Sequence, residues 1–253
     1  MAPVPGLPRS ARLAAWGGGL LRGTVGAEAA LDAIRRGEHH EAVDADGTSP
    51  LAVALGLLRR EGVTGLALVL PVPGDPCGLA GPPETNAEAV AAGEAVLAVG
   101  DGTAYALVPR VEIRGSSLVA VAWRRLPAEP PRTSAVPQLS EADRELKEVL
   151  SEATEELVRL DVARWRPEVA EALSSLREGA GAEPLPGDYP ARAREVLARA
   201  QLLAGVAALA GEDPGAAVSA GQMGLRSAAL TRLGTAARRA VVAAVNAPLE
   251  PAR

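Results

Sequence analysis

The chain has 253 residues and a net charge of −5, and it contains no Phe, two Tyr and three Trp, so its core must consist mainly of Ala, Leu and Val. A chain of that length can bury a sufficient core without disulfides or structural metal ions, and the single cysteine, Cys77, excludes an internal disulfide. The acidic balance and the scattered arginines argue against nucleic-acid binding, which normally needs a basic stripe or tail. No apolar run reaches the roughly 18 residues of a membrane span.

The first half of the chain alternates helical and strand patterns. Apolar residues recur at helical spacing in residues 27–36 and 50–61, and Ser49 and Pro50 are expected to be the N-cap and first residue of the second helix. Strands are predicted at 65–70, 95–99, 103–113 and 118–126, and 39–43 is a further candidate. Short turns between the last three indicate antiparallel neighbours, so we predict a mixed sheet of four or five strands.

The second half of the chain has a helical pattern. The Pro-rich stretch 128–138 is expected to be an extended linker. Apolar residues then recur at alternating spacings of four and three, which predicts one packed helix face: Leu146, Leu150, Ala153, Leu157 and Leu160. Further helices are predicted from Pro167, Pro190 and Leu225. We therefore predict an α+β protein with a mixed-sheet domain at residues 1–127 and an all-helical domain at 139–253.

The loop Pro71–Asn86, PVPGDPCGLAGPPETN, is the strongest candidate for a binding site. It connects a buried strand to a helix N-terminus, where mixed α/β proteins often bind ligands and where free N–H groups favour anions. Its glycines allow close approach of the backbone, and its acids can bind a hydroxyl group. The predicted ligand-binding residues are Gly74, Asp75, Cys77, Gly78, Glu84, Thr85 and Asn86, for a small anionic or polar ligand. With five prolines, the loop could instead be a rigid connector.

No motif specifies a reaction, so no catalytic residue or cofactor can be assigned. The loop matches neither a dinucleotide fingerprint nor the ending of a phosphate-binding P-loop, and no motif supplies a base for Cys77. His39 and His40 are the only histidines, and adjacent strand residues point to opposite faces, so they cannot jointly bind one metal. We therefore predict an exposed polar strand end there and no metal site.

These observations favour a cytoplasmic, non-catalytic binding or interaction protein that forms a homodimer. The sequence contains few candidate catalytic residues, and the Ala- and Leu-rich helical half is suited to packing. Nucleic acid and membrane are not expected partners. The alternative is a small-molecule-binding protein or an enzyme whose site is the loop 71–86.

Overall fold

A computed structural model describes residues 6–100, 104–115, 118–130, 137–159, 185–212 and 220–250. The chain divides into two compact units. We call one the sheet unit; it contains the described residues of Leu7–Pro137, Pro184–Pro190 and Val245–Arg253. The helical unit contains those of Met1–Gly6, Gln138–Glu183 and Ala191–Ala244. The predicted α+β class is confirmed.

The sheet unit is built on one mixed sheet of six strands, not the predicted four or five. The strands are β1 (His39–Asp44), β2 (Gly47–Pro50), β3 (Val63–Val69), β4 (Ala95–Gly100), β5 (Ala104–Arg114) and β6 (Leu118–Pro127). Their order is β2-β1-β6-β5-β4-β3. The β1–β6 pair is parallel and the other neighbours are antiparallel.

The strand that the sequence analysis missed is β2. A tight turn joins it to β1: the Asp46 backbone N–H donates to Asp44 Oδ1 at 2.9 Å, and Gly47 has a φ of +128°. The next residues pair antiparallel with β1, as Ser49 does with Ala42. The prediction that Ser49 caps a helix is therefore wrong, because the sheet extends through Pro50 and Pro50 itself takes the N-cap position.

Helices cover both faces of this sheet. They are α1 (Arg9–Arg12), a π-helical turn (Leu13–Gly17), α2 (Gly18–Arg22), α3 (Ala27–Arg35), α4 (Leu51–Arg60) and α5 (Pro83–Ala92). On one face, Val69 and Leu97 form a buried cluster with Ala89 of α5. On the other, the π-helical turn approaches β3 so closely that a Cβ added at Gly17 would lie 2.9 Å from Leu66 Cδ1. Small residues thus bring helix and sheet together in a core without Phe.

One edge of the sheet is covered by a side chain. β3 is an outermost strand, and the buried Asn246 lies beside it. Its Oδ1 accepts the Leu68 N–H at 2.7 Å, and its Nδ2 donates to the Leu68 carbonyl at 2.9 Å. The amide of Asn246 therefore occupies the hydrogen-bonding positions of a neighbouring strand.

The helical unit contains α6 (Leu139–Arg159), α7 (Ala191–Glu212) and most of α8 (Ala220–Asn246). On the predicted face of α6, Leu146 and Ala153 are buried. Asp143 of α6, 5% exposed, pairs with Lys147 on its own helix and with two arginines of α7, Arg192 and Arg199. The helix predicted from Pro167 lies outside the described residues. No helix within the described ranges is long and apolar enough to cross a membrane.

Candidate functional site

The predicted loop begins with a tight turn. Val72 and Asp75 exchange backbone hydrogen bonds of 3.0 and 2.9 Å around Pro73 and Gly74, and Gly74 has a φ of +84°. Glycine adopts this left-handed conformation without steric cost, and Pro73 fixes the backbone φ angle of the preceding turn position. Asp75 is half-buried, and its Oδ1 accepts the backbone N–H of Cys77 at 3.2 Å. The contacts of Gly74 and Asp75 thus shape the turn itself.

The middle of the loop turns inward. Cys77 is 4% exposed and has a left-handed φ of +50°, and the buried Gly78 follows with +91°. This backbone course places Leu79 in the cluster beneath α5. The burial of Cys77 keeps its thiol from reaching an external substrate. It therefore disfavours a nucleophilic role for this cysteine.

The end of the loop is joined to the end of β6. The Thr85 hydroxyl donates to the Pro127 carbonyl at 2.9 Å, and Asn86 Nδ2 donates to the Gly81 carbonyl at 2.9 Å. Asn86 Oδ1 is buried and has no hydrogen-bond partner, whereas Glu84 is exposed. Most of the predicted site residues therefore have contacts within the fold, and their assignment as ligand-binding residues stays a prediction.

A partly buried polar cluster lies elsewhere in the sheet unit, and we call it the Glu38 cluster. Glu38 accepts from Arg9 Nε at 3.0 and 3.1 Å, from Arg9 Nη2 at 2.5 Å and from Arg12 Nη2 at 3.1 Å. His40 Nε2 lies 3.1 Å from Glu38 Oε2, and Trp123 Nε1 donates to His40 Nδ1 at 3.1 Å. The histidine therefore joins the carboxylate to the indole.

His40 corrects the prediction of an exposed strand end. Its residue is 2% exposed, whereas the His39 side chain, on the opposite face of β1, is 60% exposed. The prediction fails for His40 because β1 lies inside the sheet beside β6, which supplies the fully buried Trp123. The alternation of two polar residues was visible in the sequence, but the face that becomes buried was not.

Hydrogen bonding fixes the protonation state of this cluster. The indole N–H can only donate, so Nδ1 of His40 must be an unprotonated acceptor, and the neutral ring donates from Nε2 to Glu38. Burial lowers the pKa of His40, which outweighs the attraction of Glu38. Burial alone would raise the pKa of Glu38, but the hydrogen bonds from Arg9 and His40 lower it overall. The cluster therefore holds a carboxylate and a neutral imidazole at neutral pH.

The hairpin of β5 and β6 carries the exposed apolar residues of the sheet. Ile113 is 76% exposed, Leu118 48% and Val111 42%. β4 pairs with β5 only from Ala104 to Leu107, and among the described residues no other strand pairs with that side of β5. We call residues 109–113 the β5 edge. Its backbone edge lies beside the solvent-exposed side chains of Val111 and Ile113.

Family models match both parts of the chain. The model of the N-terminal domain of Rv1486c-like proteins matches residues 10–139, and that of the C-terminal domain matches residues 140–242. The chain belongs to the Rv1486c-like family. The N-terminal domain of this Rv1486c-like chain includes Glu38, His40, Trp123 and the β5 edge. No curated protein and no solved structure matches the chain.

The Glu38 cluster makes the stability of this Rv1486c-like protein dependent on pH. The pKa of His40 lies below its ordinary value of 6.5, so just below pH 6.5 the unfolded chain binds a proton that the folded chain excludes. Above pH 6.5, His40 is expected to leave the free energy of unfolding unchanged. As the pH falls below 6.5, the free energy of unfolding should decrease by at most about 1.4 kcal/mol per pH unit. Urea unfolding between about pH 8 and pH 5 measures this slope.

The other histidine supplies the control for this prediction. His39→Gln should keep the slope, because the His39 side chain is exposed, whereas His40→Gln should lose it. In the His39→Gln variant His40 is the only imidazole, so its NMR titration gives the pKa directly. A midpoint at or above 6.5 would contradict the neutral, buried state.

Proposed function

We propose that the protein is a non-catalytic interaction protein of the cytoplasm that works as a homodimer. The observation that carries this proposal is the β5 edge. Exposed edges of sheets are sites for pairing with another chain, and soluble proteins normally shorten, charge or cover them. Here the exposed Val111 and Ile113 alternate with the charged Arg110 and Glu112 and leave apolar surface beside such an edge.

The buried polar groups support a non-catalytic role. Both ring nitrogens of His40 and both carboxylate oxygens of Glu38 already bind within the protein. Groups engaged in this way hold the first helix and β1 together, and His40 is closed off from a substrate by its burial. A single, buried cysteine suits a reducing compartment, which supports the cytoplasm as the location.

Self-association is measured by sedimentation equilibrium of the full chain between about 1 and 300 μM, the range expected for a weak to moderate dimer. We expect the average mass to rise from the 25.7 kDa of one chain towards twice that value. A mass that stays at 25.7 kDa across the whole range would overturn the homodimer.

A further inference from the structure

We propose that two copies of the chain pair through their β5 edges, antiparallel, with the two-fold axis at Val111. This inference rests on the proposed homodimer and specifies its surface and register. The pairing would continue the sheet of one copy into that of the other by backbone hydrogen bonds, which is the usual way in which an exposed strand edge is recognised.

The edge is exposed from Arg110 to Ile113, whereas Pro109 is buried. β5 continues for seven residues beyond Leu107, where its pairing with β4 ends, up to Arg114. The four residues from Arg110 to Ile113 are all exposed. Pro109, which precedes them, lacks an N–H group, and a proline of this kind is compatible with an edge strand.

Symmetry limits the registers that such a pair can adopt. Two identical antiparallel strands around a two-fold axis must place one residue opposite its own copy. An axis at Arg110 would set two arginines directly opposite each other, and an axis at Glu112 would set two glutamates opposite each other. Like charges in directly opposite positions are destabilising. Both of these registers are therefore disfavoured.

An axis at Val111 gives the opposite result. Residues then pair when their numbers add up to 222, so Arg110 faces Glu112 of the second copy and Glu112 faces its Arg110. The β5 edge therefore carries a charge pattern that is complementary to itself in this register. This complementarity is the argument for a second copy of the same chain as the occupant of the edge.

The apolar residues fit the same register. Side chains alternate along a strand, so Val111 and Ile113 share one face and Arg110 and Glu112 share the other. With the axis at Val111, the two exposed Val111 side chains meet at the centre, and each exposed Ile113 lies at the position opposite Pro109 of the other copy, which is already buried in its own chain. Charges then pair on one face while exposed apolar area is covered on the other.

The length of the edge sets the strength of the expected dimer. Pairing of residues 109–113 buries less than the roughly 1,200–2,000 Å² of a standard stable interface. We therefore expect a reversible dimer whose population depends on protein concentration. A point change at the edge should then shift the dissociation constant measurably without abolishing folding, since the changed side chains are exposed in the monomer.

Charge reversal tests the register. Arg110→Glu alone and Glu112→Arg alone each replace two attractive pairs by two repulsive ones, so each should raise the dissociation constant about tenfold or more. The double variant R110E/E112R restores opposite charges and should return to the wild-type value. Arg60→Glu and Glu28→Arg make the same charge changes at exposed positions on α4 and α3 and should leave the constant unchanged.

Crosslinking tests the axis independently of affinity. Directly opposite residues of paired strands have Cβ atoms about 4.5–5.5 Å apart, so Val111→Cys should give a covalent dimer with a short bis-maleimide. Val53→Cys, 50% exposed on α4, should not. The wild-type chain measures the background from the buried Cys77.

The outcomes separate this inference from the proposed function. If the wild type dimerises, but the single reversals leave the constant unchanged and Val111→Cys does not crosslink, the β5 edge is the wrong surface and the homodimer stands. Failure of the double variant to recover overturns the register. A wild-type chain that remains a monomer at every concentration overturns both proposals. Circular dichroism of each variant confirms that it is folded.

Discussion

Replacing Glu38 by glutamine is expected to lower the free energy of unfolding by about 2–4 kcal/mol, somewhat less than the roughly 3–5 kcal/mol of breaking a fully buried ion pair, because Glu38 and Arg9 are only partly buried. The glutamine keeps the shape and one acceptor oxygen but removes the negative charge. Arg12, 8% exposed, then remains buried without its counter-charge, and Arg9 loses its charge-assisted hydrogen bonds. Urea unfolding at pH 7.5 measures the loss.

Glu41→Gln is the matched control. Glu41 lies on the same strand, and its Oε2 is 3.7 Å from Nε2 of the exposed His39. An exposed pair of this kind contributes about 0–1 kcal/mol, so the control should change stability by less than that. If the two variants were equally stable, the Glu38 cluster would not hold the N-terminal helices to the sheet.

The sequence predicted the elements whose patterns are local. The strands at 65–70, 95–99, 103–113 and 118–126 lie within a few residues of β3, β4, β5 and β6. Buried apolar runs and short turns are strong signals because they depend on residues close in the chain. The error at β2 has a local cause, because Asp46 and Gly47 favour a hairpin turn whereas Ser49 and Pro50 favour a helix start. The hairpin forms because residues 47–50 pair with β1.

The Glu38 cluster could not be predicted in the same way. Arg9 and Glu38 are 29 residues apart, and His40 and Trp123 are 83 apart. Their contact requires the parallel pairing of β1 with β6, in which His40 lies opposite Val121 and Trp123 two positions further along. No local pattern encodes that pairing. The sequence predicted only that the two adjacent histidines point to opposite faces of a strand; which one is buried, and its contacts with the indole and with Glu38, depend on the fold.

For the loop 71–86, the position was predictable from the sequence but the contacts of its polar residues were not. Its position between a buried strand and a helix followed from local signals, and α5 begins at Pro83. The use of its polar residues was not predictable, because Thr85 binds a carbonyl 42 residues away at the end of β6. Side chains that looked available for a ligand are engaged by the distant strand end.

The outer strand β3 and the β5 edge, which is a stretch of an interior strand, differ in what lies beside their backbones. The outer strand β3 has its Leu68 backbone groups satisfied by the side chain of Asn246. Residues 109–113 of β5 have no strand neighbour on the β4 side within the described part of the chain. The amide of Asn246 binds the backbone at β3, whereas the β5 edge is flanked by the exposed Val111 and Ile113, and this difference favours pairing at the β5 edge.

Replacing Asn246 by alanine is expected to lower the free energy of unfolding by about 2–4 kcal/mol, because each orphaned buried backbone group costs about 1–3 kcal/mol. Alanine removes both partners of the Leu68 backbone at once. Leu68 is fully buried and Asn246 is 5% exposed, so bulk water does not replace the amide. Thermal and urea unfolding measure the effect, and hydrogen exchange of the Leu68 amide locates it.

Asn86→Ala is the control for this amide. Asn86 is half-buried and makes one side-chain hydrogen bond, from Nδ2 to the Gly81 carbonyl, while its Oδ1 has no partner. Its replacement should cost about 0.5–1.5 kcal/mol, the net value of one hydrogen bond, and should leave exchange at Leu68 unchanged. Equal losses for the two variants would mean that Asn246 does not act as a substitute strand. A loss confined to Asn246→Ala, with faster exchange along β3, would establish that its amide closes this edge of the sheet.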